Sequence, residues 1–300
     1  MVDTAIMRKK SNIVGWILAI PSIISILMFI IYPLVYSFYI SLTDWRMLPI
    51  NVKFIGFENY VWLFDFENEL ALQFWHGIKL SLYFTFFSTL IQTFLGFILA
   101  YAMYNMGKKT QSFFKVMIYI PVILPMPMIS VMFQFFLSTE GVVNKFLSLM
   151  FNMSSFPEWL STDGLTMWVV IAINTWRYLG FTTVIYFVAM LNVDKTLIES
   201  ARIDGAGKSK ILTAFILPLT WSSTQINLLL SIIGGLKSYD FFLILTNGFG
   251  DTQVVGLYIY KTAYEFRTFC RGVTMSIVMS VFIGFLTFFT NKFLQKGDVL

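Results

Sequence analysis

Histidine and cysteine are nearly missing from this chain of 300 residues: His76 and Cys270 stand alone. A single cysteine excludes an intrachain disulfide and a thiolate metal site. A single histidine removes His-based metal sites and nucleophile triads. Charge is the next shortage. Asp, Glu, Lys and Arg together make 12% of the chain, about half the share in an ordinary soluble domain. No low-complexity tract or short repeat is visible. What fills the sequence instead is apolar: 57% hydrophobic residues, 18% aromatic, 33 of them Phe, with mean hydropathy +0.75. A soluble chain of this size has no means of hiding that much apolar surface, and a disordered one would not carry it. The chain reads as a polytopic membrane protein. Its net charge of +5 is then a matter of basic loops facing lipid headgroups and cytoplasm, with no nucleic-acid partner expected.

A spanning helix takes about 20 mostly apolar residues. Six runs qualify, at about 13–40, 78–104, 116–137, 167–191, 211–245 and 272–293. They are too long and too uniformly apolar for barrel strands, which alternate over about ten residues. The expected fold is an all-α membrane protein. A cytoplasmic N-terminus (1–12) precedes a six-span domain (13–293), and a cytoplasmic C-terminus (294–300) follows it. Arg8, Lys9 and Lys10 resemble the n-region of a signal peptide. The apolar stretch behind them exceeds a roughly 7–15-residue h-region, and no small-x-small site follows, so retention is expected. With the N-terminus inside, the cytoplasmic segments collect Arg8, Lys9, Lys10, Lys108, Lys109, Lys115, Lys195, Arg202, Lys208, Lys210, Lys292 and Lys296. Asp44, Glu58, Asp65, Glu67, Glu69, Glu140, Glu158 and Asp163 fall outside. The first outer loop (41–77) carries Trp45, Phe54, Phe57, Tyr60, Trp62 and Trp75, which reads either as an interfacial aromatic belt or as a platform for another protein. The loop at 138–166 is similar, and Asn152-Met153-Ser154 fits a glycosylation sequon.

The segment after the fourth run, TLIESARIDGAGKSKILTAFILPLT from Thr196 to Thr220, carries the most information. Gly207-Lys208-Ser209 looks like the end of a phosphate-binding loop, but the position that needs its first glycine is Arg202 and no strand precedes it. Thr196 and Glu199 have capping-box spacing, so a helix is expected to begin at Thr196. Leu197 and Ala201 lie one turn apart on a common face, and with Ile203 would supply an apolar knob. Gly205 and Gly207 then break the helix. A second helix starts near Ser209, with Pro218 kinking it or marking its entry into the membrane. A short helix thus lies across the end of the bundle within a loop at 194–210.

Glu199-Ser200-Ala201, Gly205 and the Phe215-Ile216-Leu217-Pro218 run resemble the "EAA" loop of permease subunits of binding-protein-dependent ABC importers. Glu199, Ala201, Gly205, Leu217 and Pro218 match that pattern, while Ser200 and Phe215 replace an Ala and an Ile. The likeness extends over most of the chain. FIGFENYVWLF at 54–64, NTWRYLGF at 174–181, SYDFFLILTNG at 238–248 and YIYKTAYEF at 258–266 are similar to sugar-type permeases of the maltose, glycerol-phosphate and multiple-sugar kind. The first of these segments, with the N-terminal basic stretch, points to the first of the two permease subunits of such systems. One departure is Asn247-Gly248-Phe249-Gly250 where the family often has Gly-Gly-Pro. The resemblance implies a coupling helix that seats in a cleft of an ATP-hydrolysing subunit, through Leu197, Glu199, Ser200, Ala201, Ile203, Asp204 and Gly205. Glu199 would pair across that interface; the alternative is that it only caps its own helix. The implied partners are a second homologous permease, two ATP-binding subunits, an extracytoplasmic solute-binding protein and membrane lipid. ATP and Mg would belong to the ATPase, with no cofactor or metal in this chain, no covalent chemistry, and a place in the bacterial cell membrane.

Ionisable groups at membrane depth are functional suspects. Arg177 sits mid-way in the fourth run, either facing a cavity or pairing structurally. The fifth run, as one helix, would be roughly 50 Å long against a hydrocarbon core of about 30 Å. Gly234-Gly235 is the candidate break, in the manner of broken transporter helices that expose backbone at mid-depth; the alternative is close helix packing. Lys237 and Asp240 are spaced to pair. In maltose-type members the solute contacts come from the equivalents of spans four and five. By position the resemblance implies Arg177, Tyr178, Phe181, Ser231, Gly235 and Ser238. The expected solute is an oligosaccharide or other carbohydrate, with a non-sugar polar solute as the alternative. A membrane enzyme would need paired carboxylates or a metal cluster. A channel would need a filter-like segment, and a stand-alone secondary transporter usually has internal repeats and more spans.

Overall fold

The computed structural model of the protein describes residue 16 and residues 18–46, 52–152 and 155–295. Arg8, Lys9, Lys10 and Lys296, and Met153-Ser154 of the sequon, lie outside the described residues. The chain forms two compact units, one of 1–68 with 261–278, the other of 69–260 with 279–300.

In the first unit, α1 (Leu18–Ser41) is long and apolar, with none of its central window buried. It contains a π turn at Leu27–Ile31 just ahead of Pro33, where the missing proline N–H leaves the regular helical ladder one bond short. The chain then turns through an isolated antiparallel bridge, Thr43 to Phe54, into α2 (Glu58–Leu63). Asn59 holds this turn. Its buried amide donates to the Ser41 carbonyl at 2.9 Å and the Thr43 carbonyl at 2.8 Å, satisfying two carbonyls left over where α1 ends. The guanidinium of Arg271 lies 4.2 Å from the ring centre of Trp62. The described part of the stretch at 41–77 is therefore folded structure rather than a bare run of aromatics.

The second unit is built on α3 (Glu69–Tyr104). At 1.5 Å per residue its 36 residues reach about 54 Å. It begins well before residue 78, and takes up part of what reads as loop in the sequence. After it come α4 (Lys108–Ile123), α5 (Met126–Phe136), α6 (Val142–Phe151), α7 (Leu165–Leu191), α8 (Lys195–Ile203), α9 (Lys208–Leu219), α10 (Trp221–Lys237), α11 (Asp240–Leu245) and α12 (Val255–Tyr260). The last helix, α13 (Phe269–Gln295), begins in the first unit and ends in the second. Among the described residues three helices, α1, α3 and α13, are long and apolar enough to cross a membrane singly; the number rises to as many as six if each bent pair counts as one span.

The bends have local causes. Between α4 and α5 the chain turns by 93°. Pro125 forces Leu124 into extended backbone (ψ 135°), so the run at 116–137 is two helices and not one. Between α9 and α10 the turn is 63° at Thr220, just past Pro218. The fifth run breaks there and again after Lys237, where Ser238 is extended (ψ 114°). It does not break at Gly234-Gly235, which α10 passes through intact. A Cβ on Gly235 would stand 2.6 Å from the Thr85 Oγ1, whereas Gly234 faces open space. Close packing of α10 on α3 is what Gly235 serves.

Helices α3 and α7 pack along their lengths, with Gly96 against Thr182 and an edge-to-face contact of Phe87 with Trp168 at 4.9 Å. Gly180 lets the α4 backbone at Ile118 approach α7. One apolar core gathers Phe84, Ile129, Val170, Phe241 and Leu257. A second, at the α8 end, gathers Met103, Tyr186, Phe187, Met190, Ile198 and Ile211.

Candidate functional site: a polar cavity and a short crossing helix

Both features lie in the second unit. Helix α8 leaves α7 at 71° and so crosses the end of the bundle. Its start is not set by Thr196 and Glu199. Asp194 is the N-cap: its carboxylate accepts the Thr196 N–H at 2.9 Å, and this bond holds the Asp194 carboxyl below its usual pKa. With that N–H taken, Glu199 has no capping role, and it makes no hydrogen bond or ion pair among the described residues. Its carboxylate is exposed.

The far end closes as a Schellman turn. The Ala206 N–H reaches the Ala201 carbonyl at 2.9 Å, and the Gly205 N–H the Arg202 carbonyl at 3.1 Å. Gly205 adopts φ +80°, a conformation in which a side chain is costly. Asp204 is the exposed C-cap, and the Ser200 hydroxyl is taken up by the Thr196 carbonyl at 2.8 Å.

The face of α8 differs from the expected one in one respect. Ala201 does not share an outward face with Leu197. Ile198 and Ala201, at i and i+3, are buried, and Ile198 anchors α8 in the second core. Leu197 and Ile203 are exposed, Ile203 to 87%. The surface on offer is thus Leu197, Glu199 and Ile203, with Ala201 as part of the anchor. An exposed isoleucine beside an unpaired carboxylate is poorly solvated by water alone and suits a partner protein.

The second feature is a cavity of about 450 Å³, within the range of small-solute sites. Arg177, Tyr178 and Phe181 enter it from α7, Ser231 and Gly235 from α10, and Ser238 from the break that follows. All six residues carried over from the resemblance therefore line one cavity. Asn174, Lys237 and Asp240 join them. Arg177 is half-buried. It donates to the Tyr178 hydroxyl at 2.8 Å and at 3.4 Å to the Leu124 carbonyl, a carbonyl freed by the bend at Pro125. Its Nε is buried without a partner. Lys237 and Asp240 do not pair. The break at Ser238 destroys the helical register that would have brought them together; elsewhere His76 Nε2 lies 2.8 Å from Asp251 Oδ1 on half-exposed surface.

Sequence reasoning missed the part of the lining that α3 supplies. Ser88, Thr89 and Gln92 of α3 line the same cavity. The signal was present: Ser81, Thr85, Ser88 and Gln92 recur at three- and four-residue steps along an apolar run. That is one helical face. Gln92 donates to the Thr182 hydroxyl at 2.6 Å and at 3.4 Å to that of Ser231, so it ties α3 to α7 and α10 at the cavity.

An all-helical unit with a polar cavity between its spans and a helix laid across one end has the form of a transport subunit. Residues 92–297 match the family described as binding-protein-dependent transport system inner membrane component, and the chain belongs to that family. The probable ABC transporter permease protein YurN of Bacillus subtilis (strain 168) is 25% identical over 295 residues, 97% of this chain and 99% of YurN. The lactose transport system permease protein LacF of Rhizobium radiobacter is 27% identical over 290 residues, 94% of each. Among solved structures, a bacterial alginate ABC transporter in complex with an alginate pentasaccharide-bound periplasmic protein contains a chain of the same fold. It superposes with TM-score 0.84 at 21% identity, over 97% of this chain and 96% of that one. The protein is thus a multi-pass membrane permease component of a system that works with a binding protein.

Proposed function

We propose that this chain forms half of the translocation path of an ATP-driven importer for an oligosaccharide or other carbohydrate. A second, homologous permease supplies the other half. Two ATP-binding subunits dock beneath, one on α8 here and one on its counterpart, and they carry the ATP and Mg. An extracytoplasmic solute-binding protein delivers the solute, and both termini face the cytoplasm. Closure of the ATPase pair pushes on α8. Ile198 and Ala201 pass the displacement into α7 and α9, and the cavity changes its access. The observation that carries this reading is the free carboxylate of Glu199 on a helix whose other face is packed into the bundle. The carbohydrate reading is supported by the cavity, which offers hydroxyl, amide and guanidinium groups to a polyhydroxylated solute, and by the similarity to LacF. The unpaired charges of Lys237 and Asp240 on the rim favour, as a second reading, a charged polar solute that is not a sugar.

The test begins with gentle-detergent purification of the tagged chain from its host. A second permease and an ATPase should come with it. Glu199→Lys should then abolish ATP-coupled uptake while the protein still inserts and folds, because Glu199 supports nothing within the chain. Removing one partner of a desolvated charge pair typically costs about 2–5 kcal/mol. Wild-type uptake in that variant would refute the coupling role. Solute movement by the chain alone, without ATP, would refute the importer reading altogether.

A further inference from the structure

We propose that α6 is a surface helix that lies along the bilayer rather than across it, with Val142, Phe146, Leu149 and Met150 sunk among the lipid chains. The proposal needs only that the chain is a membrane permease, not what it carries. The ten residues of α6 measure about 15 Å, half the thickness of the hydrocarbon core, so this apolar helix is too short to span. At about 100° per residue those four side chains fall within an arc of about 100°. All four are exposed, Leu149 to 87%. Asn144 projects from the opposite side and is buried. Its amide nitrogen donates to the Ser138 carbonyl at 3.1 Å and the Thr139 carbonyl at 3.2 Å, and its oxygen accepts the Trp159 indole N–H at 2.8 Å. A Cβ on Gly141 would strike the Phe136 carbonyl, so the start of α6 is seated closely against the end of α5. One face of α6 is thus fixed to the unit, and the apolar face is turned away from it.

Charge decides what covers that face. Helix α6 holds no Asp or Glu, and Lys145 and Ser148, both exposed, flank the apolar arc on one side. A lysine beside a Phe and Leu face is the pattern of helices that rest in the headgroup layer, where lipid phosphates receive the ammonium. By contrast, the exposed Phe57, Val61 and Phe64 on and beside α2 are accompanied by exposed Glu58, Asp65 and Glu67, carboxylates that phosphates repel. A protein partner is held in register by polar groups around an apolar centre, as Glu199 and Asp204 give α8; the arc on α6 contains none. Lipid-facing surface also leads directly into α6. Met128, Val131 and Phe135, at steps of three and four residues, form an exposed stripe on α5, and the chain passes from there to Val142 through the tight turn at Gly141. The helix steadied in this way is a working part: α5 brings Met126 to the cavity, and its Gln134 amide reaches the Leu245 carbonyl of α11 at 3.3 Å.

The test uses the whole complex, co-purified through the tagged chain and placed in nanodiscs, which leave both membrane faces open to solvent. The chain carries Cys270→Ala and one added cysteine bearing an environment-sensitive fluorophore. The added cysteine is Leu149→Cys, with Val142→Cys as the second site on the same face should the first fail to assemble, and Ser148→Cys for comparison. Signal from the complex carrying Cys270→Ala alone is subtracted. The quenchers are phosphatidylcholine with a doxyl group at chain carbon 5, the same lipid with the group at carbon 12, and aqueous iodide. The label at position 149 should be quenched about twofold more by the carbon-5 lipid than by the carbon-12 lipid, as a face sunk about 5–10 Å requires. Iodide should quench it about threefold less than the label at position 148. Equal iodide quenching at the two positions overturns the proposal, and protection that then appears on adding loaded binding protein identifies a protein dock in its place. A label at position 149 that neither lipid nor iodide reaches also overturns it, because the face then packs against another subunit. Stronger quenching from carbon 12 overturns it as well, since α6 would then enter the bilayer core.

Discussion

Gly234 and Gly235 are neighbours in one helix, yet the structure sets them in opposite situations, and alanine at each position should therefore act in opposite directions. Glycine in a helix interior is about 1 kcal/mol less favourable than alanine. At Gly234 a new Cβ meets nothing within 4 Å, so Gly234→Ala should retain that gain. At Gly235 the Cβ would stand 2.6 Å from the Thr85 Oγ1 and 3.1 Å from both its Cβ and Cγ2. Thr85 is 4% exposed and β-branched, so it has little rotamer freedom to move aside. The helices must part, and overpacking of this kind costs about 1–3 kcal/mol. Set against the propensity gain of about 1 kcal/mol, Gly235→Ala should lie near neutral to about 2 kcal/mol destabilising. The two variants should differ by about 1–3 kcal/mol.

Thr85→Ala supplies the control. Its hydroxyl has no partner, so removing it forfeits packing but no hydrogen bond. In the double variant the Oγ1 and Cγ2 are gone, and much of the Gly235→Ala cost should return as a coupling energy above about 1 kcal/mol. The assay is thermal unfolding of the detergent-solubilised complex, in which each kcal/mol moves the midpoint by about 2 °C for a chain of this size, with uptake followed in parallel. The competing idea is that the pair is a hinge. It makes the reverse prediction: both alanines would impair uptake with no change in midpoint, and Thr85→Ala would rescue neither. Equal effects at the two glycines would refute the packing argument.

Three further outcomes follow from single side chains. Ile198→Ala empties a buried site in the core beneath α8 and should cost about 2–4 kcal/mol, with faster hydrogen exchange in α8 and weaker coupling of uptake to ATP; native exchange rates would show that α8 is not held by this contact. Gly250→Ala places a side chain at φ +66° and against the buried Thr166 hydroxyl, so about 2–4 kcal/mol should be lost, read as a lower midpoint; an unchanged midpoint would refute it. Asp194 has a depressed carboxyl pKa because it accepts the Thr196 N–H. Its contribution is present in full above the ordinary aspartate range and is lost as pH falls through the lower, folded value, so exchange at the start of α8 should quicken in acid and Asp194→Ala should abolish that dependence. Pronounced acid quickening that persists in Asp194→Ala would locate the effect elsewhere.

The parts of this fold that are legible in the sequence are those set by neighbours in the chain. The lengths of the apolar runs declare the membrane class. Gly205 declares the end of α8, because its left-handed backbone is needed within three residues of the last turn. Where two local signals compete, legibility already fails. Asp194 and the Thr196–Glu199 pair both offer to cap the same helix, and the carboxylate two residues ahead of the Thr196 N–H captures it, which leaves Glu199 free. Pro125 was equally visible, but a run of apolar residues conceals a bend of 93° because hydropathy carries no direction. The Gly pair shows the deeper limit. Nothing near residue 235 says whether a glycine yields or packs; the answer is Thr85, on another helix about 150 positions earlier. The cavity obeys the same logic. Of the cavity residues on α7 and α10, Arg177 stood out by its charge at membrane depth, the others only through likeness to other chains, and those on α3 not even so. Ser88 and Thr89 on an apolar helix look like any hydroxyls that bond back to their own turn. Only the folded chain shows that these two make no such bond and that their residues border the cavity, because both facts depend on α7 and α10, which lie far along the chain from α3.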